Sequence, residues 1–413
     1  MHISSSKGPN IKMKDWEIII IMCFAHVLSM TGFATFPALI PILIPLWELT
    51  NTQAGWVSGV FFVGYVLSVP VLVSLTDRID SRRIYIIGLT ISIVGLLGFT
   101  FLANGFWSAL TWQIVHGAGI GGTYMTGLRV MTDRIKKANP SRAIAFYTAC
   151  FSLGTAVSFI LSGLVAGWLG WNWAFALSAL GPIGAVIVTL LLLKTYNINR
   201  DQLPHTHLLD FRPVFKNRKA MSYTLAYIGH SWELFALRAW IVAFLVFAGA
   251  EKTGFSILSA TIIAGAASVI GGPISIIGNE ISERYGRRKT IIVIMVFASL
   301  TSIITGYSAS LSLGAAAIFI IIYSGFVMGD SASLTAGAAE EAISGYRGAT
   351  LAVHSILGFT GAFLGPLCAG LALDLFGGQS SNIAWIIAFA TIGFGSVMGL
   401  ISVIKLGKIS LNT

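Results

Sequence analysis

The sequence predicts an all-α integral membrane protein with twelve transmembrane helices arranged as two six-helix bundles. Three observations predict this class: the composition, the lengths of the apolar runs, and the positions of lysine and arginine. Of the 413 residues, 55% are hydrophobic and only 10% are charged, whereas soluble domains carry about 25% charged residues. A soluble protein this apolar could not cover its own surface, so the chain is expected to lie in a lipid bilayer.

The apolar runs have the length of membrane-spanning helices. A helix needs about 20 apolar residues to cross the hydrocarbon core, whereas the strands of a membrane barrel would be about ten residues long with strict alternation. Because backbone groups must be satisfied within lipid, runs of this length are predicted to be helices. The expected spans are 17–41, 53–73, 84–104, 106–131, 143–167, 172–193, 220–249, 255–277, 289–308, 312–336, 349–375 and 383–404.

Lysine and arginine predict the orientation of these spans. If the N-terminus is cytoplasmic, 24 of the 26 basic residues fall in cytoplasmic tails and loops or at their edges, and only Arg238 and Lys252 do not. Cytoplasmic loops carry such an excess, so the net charge of +10 does not indicate a nucleic-acid partner. We expect a multi-pass protein of the bacterial inner (cytoplasmic) membrane, with both termini cytoplasmic. The longest cytoplasmic loop, 195–219, would separate an N-terminal bundle, 1–194, from a C-terminal bundle, 220–413.

The two halves repeat a short charged segment. Thr76-Asp77-Arg78-Ile79-Asp80-Ser81-Arg82-Arg83 follows the second span, and Ser282-Glu283-Arg284-Tyr285-Gly286-Arg287-Arg288-Lys289 follows the eighth. Asp77 and Glu283 are 206 residues apart, about half the chain. Internal repeats on this scale are typical of secondary transporters, whose binding site lies near the midplane between the repeats.

Twelve spans in two halves, with an acidic-Arg-x-x-x-Arg-basic loop in each, resemble the major facilitator superfamily. Asn279, Val73 and Asp80 stand where that family usually has glycine. The resemblance implies that the two loops latch the cytoplasmic face, which would make Asp77, Arg78, Glu283 and Arg284 gating residues. The alternative is that a short basic loop only enforces orientation.

Other motifs of the family are incomplete or short. Gln113 stands four residues before Gly117, where an arginine is usual, with His116 nearby. No proline lies between Gly154 and Gly163, so an antiporter is not indicated. The segments His230-Ser231-Trp232-Glu233-Leu234-Phe235 and Gly329-Asp330-Ser331 resemble the nitrate/nitrite-permease and cyanate-permease branches of the family.

Ionisable residues within the spans are the candidate site. Such groups cost a few kcal/mol at membrane depth unless they are paired or wetted. By resemblance, spans 1, 4, 7 and 10 line the central cavity, and six of these residues fall on them: His26, His116, His230, Glu233, Arg238 and Asp330.

Chemistry predicts a role for each of these groups. Arg238 offers a planar fork suited to a carboxylate or small oxyanion, and His116, His230 and Asp330 are further candidate substrate ligands. Glu233 is the candidate proton-coupling residue, and His230, three residues away on the same helix face, could relay that proton. Arg238 lies about 140° from Glu233 around an ideal helix, so either the two have different neighbours or the helix is unwound there. The alternative is a structural bridge between helices.

The sequence therefore predicts a secondary active transporter of a small-molecule substrate, with proton-coupled uptake of a small inorganic or organic anion. Two alternatives stay open: a proton-coupled exporter of cationic or amphipathic compounds that uses Glu233 and Asp330, and a transporter-like sensor. An enzyme, a cofactor, a bound metal and ATP-driven transport are not expected, because the chain shows no Walker loop, metal-ligand cluster or nucleophile motif.

Overall fold

The computed structural model describes residues 14–76, 78–136, 140–195 and 211–408. In these ranges every regular element is a helix. The helices are α1 (Asp15–Ser29), α2 (Thr35–Leu46), α3 (Asn51–Leu75), α4 (Ser81–Leu102), α5 (Phe106–Gly121), α6 (Tyr124–Thr132), α7 (Pro140–Leu169), α8 (Trp171–Ser178), α9 (Leu180–Leu192), α10 (Arg212–Lys216), α11 (Arg218–Ala248), α12 (Ile257–Tyr285), α13 (Arg287–Ser308), α14 (Leu313–Gly329), α15 (Ser331–Glu340), α16 (Arg347–Leu375) and α17 (Asn382–Lys408).

These helices form the twelve predicted spans. Ten stretches of the described chain are long and apolar enough to cross a membrane. The remaining two are span 1, which consists of α1 and α2, and span 4, which consists of α5 and α6. Spans 6 and 10 are also divided, into α8 and α9 and into α14 and α15. The prediction of an all-α protein with twelve transmembrane helices is confirmed. Here the termini side is the side on which α1 begins and α17 ends, and the far side is the opposite one.

Hydroxyl groups stabilise the break in span 1. The backbone is not helical between Ser29 and Thr35, and unsatisfied backbone groups are costly at membrane depth. The Thr31 hydroxyl donates to the carbonyl of Ser178 at 2.7 Å, and the N–H of Ala34 donates to the Ser158 hydroxyl at 2.9 Å. A side chain of span 5 and a backbone carbonyl of span 6 therefore stabilise the break, which the sequence did not predict.

Span 10 is interrupted at Asp330, between α14 and α15, whereas span 7 is continuous. α11 runs without interruption from the termini side to the far side, and most of its residues between Gly229 and Leu245 are buried. The four spans expected to line the centre therefore comprise three interrupted helices and one continuous helix. The continuous helix carries His230, Glu233 and Arg238.

The two halves approach closely on the far side through α3 and α16. A methyl group added at Gly59 would lie 2.3 Å from the carbonyl oxygen of Phe363. One added at Gly55 would lie 2.5 Å from that of Pro366. Small residues permit such contact between helix backbones. The indole N–H of Trp240 donates to the Pro366 carbonyl at 2.9 Å and ties α11 to the same place.

The predicted loop 195–219 is partly helical. α10 lies within it, and α11 begins at Arg218, two residues before the predicted start of span 7. Residues 196–210 lie outside the described residues. The division into 1–194, 195–219 and 220–413 stays a prediction.

Candidate functional site

Arg238 lies between the two halves, in the part of α11 nearer the far side. Arg238 is 8% exposed. It has no ion pair and donates no hydrogen bond to another residue that the structure describes, and its buried Nη1 has no partner there. Its Cζ atom lies 5.3 Å from the ring centre of Phe151 and 5.6 Å from that of Phe235. Cation–π contact stabilises the guanidinium but leaves its hydrogen-bond donors available.

Arg238 contributes to two neighbouring cavities, both lined mainly by apolar groups. No carboxylate lines either of them within the described chain. The lining of the first is Phe33, Ala34, Pro37, Ser58, Phe61, Phe62, Gln113, Phe235, Arg238 and Ala239. The lining of the second is Phe159, Leu234, Leu237, Arg238, Ile241, Ala267, Ser268, Ser324 and Met328. A buried cation facing such walls gives both cavities a positive electrostatic potential.

Glu233 points away from Arg238 and into the C-terminal half. Its Oε1 accepts a hydrogen bond from the Tyr323 hydroxyl at 2.7 Å, and its Oε2 accepts one from the Ser396 hydroxyl. These contacts tie α11 to α14 and α17. The predicted difference between the neighbours of Glu233 and Arg238 is therefore what the structure shows, although α11 is not unwound between them.

His230 and Asp330 form a buried pair. The Nδ1 atom of His230 lies 2.8 Å from Oδ1 of Asp330, and both residues are almost completely buried. The ring of Tyr227 stacks on His230, with ring centres 5.4 Å apart, and on His354 at 4.1 Å. His354 is also close to two threonine hydroxyls, each 3.4 Å away. This cluster lies nearer the termini side than Arg238 and lines neither cavity.

The two N-terminal histidines pack within their own bundle. His116 is 3% exposed and its ring contacts that of Phe61, with centres 5.2 Å apart. His26 stacks on Tyr147 at 4.4 Å. The Nε2 atom of each has no hydrogen-bond partner within the described chain. The structure thus separates the six predicted residues into Arg238 at the cavities, a His230–Asp330 pair, Glu233 with its two hydroxyl partners, and two packed histidines.

Three of the four predicted gating residues are described by the structure, and they lie at the termini side. Asp77 lies outside the described residues, and Arg78, Glu283 and Arg284 are exposed. Glu283 accepts a hydrogen bond from the Asn279 amide at 3.0 Å, within α12.

Other arginines of the two repeated loops make the longer-range contacts. Arg82 donates to the carbonyls of Thr189 and Leu190 at 3.2 and 2.8 Å, at the end of α9. Arg288 donates to those of Val403 and Ile404 at 3.2 and 3.0 Å, near the end of α17. The two arginines are 206 residues apart, so the repeat seen in the sequence corresponds to equivalent contacts in the two halves.

Sequence reasoning missed several residues of this centre. Gln113 was noted only as a departure from a motif, yet it lines the first cavity and is 5% exposed. Tyr323 and Ser396 carry no sequence signal, because tyrosine and serine are ordinary residues in apolar helices. Phe33, Phe61 and Phe62 also carry no distinctive signal, because aromatic residues in apolar spans more often indicate packing.

The model of the major facilitator superfamily matches residues 22–366. The chain belongs to the major facilitator superfamily. It is 24% identical over 381 residues to an uncharacterised transporter of this type from Enterobacter, covering 91% of this chain and 93% of that protein. It is 23% identical over 242 residues to spinster homologue 3 of Danio rerio, and 25% identical over 182 residues to the niacin transporter NiaP of Acinetobacter baylyi. These two alignments cover only 48% and 40% of those relatives.

Solved structures show the same fold. A bacterial homologue of the human lysosomal transporter Spinster, in an inward-facing and unoccupied conformation, has a TM-score of 0.79 and 14% identity. That comparison covers 97% of this chain and 99% of the other. The nucleoside transporter NupG has a TM-score of 0.76 at 14% identity, covering 95% and 99% of the two chains. The family and these neighbours are transporters rather than enzymes, and the chain is a multi-pass membrane protein of this fold.

Proposed function

We propose that this superfamily member is a secondary active transporter that carries a small anion by alternating access, with Arg238 as the anion-binding residue. The observation that carries the proposal is the buried guanidinium with unused donors between the two halves. An arginine keeps its charge when buried and presents a fork that fits a carboxylate or oxyanion. A buried charge without a partner is costly, and a bound anion removes that cost.

The position of Arg238 fits alternating access. Its cavity is walled by α2, α3 and α5 of the N-terminal half and by α11 of the C-terminal half. In transporters built from repeats, one bundle rocks against the other around a site at their interface. A ligand held here contacts both bundles, so its binding is sensitive to their relative position.

The geometry favours an anion over a cation. A cation site would need Glu233 or Asp330 in a cavity. Glu233 is hydrogen-bonded to Tyr323 and Ser396, Asp330 is paired with His230, and neither lines the two cavities. Arg238 would also repel a cation in either cavity. The arrangement of charges therefore disfavours a cationic exporter.

We further propose that Glu233 carries the coupled proton. Its two partners are hydroxyl groups, which can donate to a carboxylate and accept from a carboxylic acid. The same contacts can therefore hold either protonation state without a compensating cation. Glu233 lies on the same continuous helix as Arg238, so a shift of α11 would affect both groups. His230 and Asp330, on the termini side of Glu233, are proposed as the path by which that proton leaves. Substrate contact by His116, His230 or Asp330 stays a prediction.

The orientation and the gate are also proposals. The termini side carries nearly all the basic residues, which supports cytoplasmic termini and a bacterial inner membrane. The contacts of Arg82 and Arg288 fix each repeated loop to the last helix of its own half. We propose that Asp77, Arg78, Glu283 and Arg284 gate the cytoplasmic face around these fixed points. The resemblance to the nitrate/nitrite-permease and cyanate-permease branches stays a prediction, since the relatives reported above carry other names.

Flux across reconstituted vesicles tests transport itself. Purified protein in liposomes should take up a radiolabelled carboxylate faster when the outside is more acidic than the inside, because inward proton movement drives uptake. Niacin belongs in the panel because one relative transports it. Protein-free liposomes and a proton ionophore are the controls. Binding of an anion without protein-dependent flux would instead indicate a sensor and would contradict the proposal.

A further inference from the structure

The side chains that line the first cavity indicate the shape of the ligand as well as its negative charge. Four phenylalanine rings surround the approach to Arg238. The ring centres of Phe62 and Phe235 are 4.3 Å apart, those of Phe33 and Phe61 are 5.4 Å apart, and those of Phe33 and Phe235 are 6.4 Å apart. The interplanar angles of these pairs lie between 51° and 82°. Rings in such tilted and edge-on contact present both edges and faces to a ligand between them.

These rings also limit the shape of the ligand. They already contact one another and leave a cavity volume of only about 30 Å³, so any ligand must displace them. A thin, flat group displaces the rings less than a bulky aliphatic group does. Since aromatic pairs prefer edge-to-face and offset contacts, a flat aromatic ring gains more here than a saturated ring of the same size.

The charges restrict the ligand to one carboxylate. Arg238 is the only charged residue among those that line the cavity in the described chain. One guanidinium can hold one carboxylate through two parallel hydrogen bonds. A second carboxylate would be buried among phenylalanine rings without a cation, which is costly.

Gln113 supplies a second polar contact on the opposite half. Its side chain makes no hydrogen bond to any other residue that the structure describes, although the residue is only 5% exposed. A primary amide offers two donors and an acceptor oxygen. Ser58, also in the lining, donates to the Ala54 carbonyl at 3.0 Å, which leaves its oxygen able to accept. A ligand group with both donor and acceptor character, such as a hydroxyl, fits between them.

We propose that the substrate is a small planar aromatic monocarboxylate with a second hydrogen-bonding group, held by Arg238 on one half and Gln113 on the other. This assignment rests on the proposed function and deepens it. The aromatic ring lies among the four phenylalanines. One end of the ligand then contacts Arg238 in one bundle, and the other end contacts Gln113 in the other bundle. Only a molecule of suitable length makes both contacts.

The test is ligand-dependent thermal stabilisation of the purified full chain. A ligand that binds the folded state raises the unfolding midpoint in a concentration-dependent way, which gives an apparent Kd. The probes are 3-hydroxybenzoate, benzoate, cyclohexanecarboxylate, acetate and nitrate. Benzoate should bind about 2- to 12-fold more tightly than cyclohexanecarboxylate, the ratio that corresponds to aromatic pairing. Nitrate and acetate should bind more weakly than either.

Two variants test which residue binds each end of the ligand. Gln113→Leu should reduce the affinity for 3-hydroxybenzoate about 2- to 12-fold, the range that one hydrogen bond accounts for, and should leave the affinity for benzoate almost unchanged. Arg238→Gln should abolish stabilisation by every carboxylate. Benzoate is the internal control for the folding of Gln113→Leu.

The outcomes separate this inference from the proposed function. Equal affinities for benzoate, cyclohexanecarboxylate and acetate, all lost in Arg238→Gln, would overturn the aromatic assignment and retain the anion site. Equal affinities for 3-hydroxybenzoate and benzoate in both the parent and Gln113→Leu would overturn the role of Gln113. Stabilisation that survives in Arg238→Gln, or no stabilisation by any anion, would overturn the proposed function and this inference with it.

Discussion

Asp374, near the end of α16, accepts two hydrogen bonds from Asn51, the first residue of α3, across the interface between the halves. The backbone N–H and the side-chain amide of Asn51 donate to Oδ1 of Asp374 at 3.0 and 2.8 Å. Thr52 adds two more to Oδ2, from its N–H at 2.7 Å and its hydroxyl at 2.6 Å. A carboxylate is stabilised at a helix N-terminus by the unpaired N–H groups and the helix dipole. Asp374 therefore joins the two halves on the far side, and alternating access there requires this contact to break in each transport cycle.

Asp374→Asn should shift the protein toward a state that is open on the far side. Loss of the charge weakens the contact by about 1–2 kcal/mol, which corresponds to a 5- to 30-fold change in an equilibrium. The measurement is the labelling rate of Ser58→Cys, a cavity residue, by a membrane-impermeant thiol reagent added on the far side. The background lacks Cys23, Cys150 and Cys368.

Glu251→Gln is the matched control, because Glu251 is an exposed carboxylate in a far-side loop. It should not change the labelling rate. Equal rates for Asp374→Asn and the control would show that Asp374 does not restrain the far side.

Gly59→Ala should also prevent full closure of the far side. The added methyl group would lie 2.3 Å from the Phe363 carbonyl oxygen, which belongs to a helix backbone and cannot rotate away. Gly348→Ala, in α16, is the control because its added methyl group meets nothing within 4 Å. We expect slower flux and faster far-side labelling in Gly59→Ala alone. Unchanged flux in Gly59→Ala would mean that the two halves do not need this close approach.

The His230–Asp330 pair should contribute to stability as well as to proton movement. Removal of one partner of a buried pair costs about 3–5 kcal/mol, whereas its replacement by apolar groups of similar size is often neutral. His230→Phe and Asp330→Leu should each lower the midpoint of thermal unfolding, and the double variant should recover most of the loss. If the two single effects simply add in the double variant, the residues are not coupled.

Glu233→Gln should separate proton coupling from substrate exchange. An amide keeps a hydrogen bond to Tyr323 or Ser396 but cannot take up a proton near neutral pH. Uptake driven by an acidic exterior should therefore be lost, while exchange of labelled for unlabelled substrate at equal pH continues. Retention of proton-driven uptake in this variant would remove Glu233 from the coupling mechanism, and loss of exchange as well would indicate a structural role.

The sequence predicted the parts of this molecule that depend on local pattern. Apolar run length gave the spans, and the helical angle between Glu233 and Arg238 correctly indicated different neighbours. The sequence did not predict that span 1 is broken between Ser29 and Thr35, because a hydroxyl group of span 5 and a backbone carbonyl of span 6 stabilise that break. The partners of Glu233 and Asp374 lie 90 to 323 residues away. Such partners are chosen by tertiary packing, which no local spacing records.

The central claim is that Arg238 binds a carried anion, and the most direct measurement is uptake of a labelled aromatic carboxylate by liposomes containing the parent, Arg238→Lys or Arg238→Gln. One or two lost charge-assisted hydrogen bonds, about 1.5–3 kcal/mol each, predict at least a tenfold loss of uptake in Arg238→Gln. Arg238→Lys, which keeps the charge without the fork, should be intermediate. Arg347→Gln, at an exposed position of α16, should retain the parent rate. Uptake by Arg238→Gln equal to that of the parent, at equal protein content, would contradict the account.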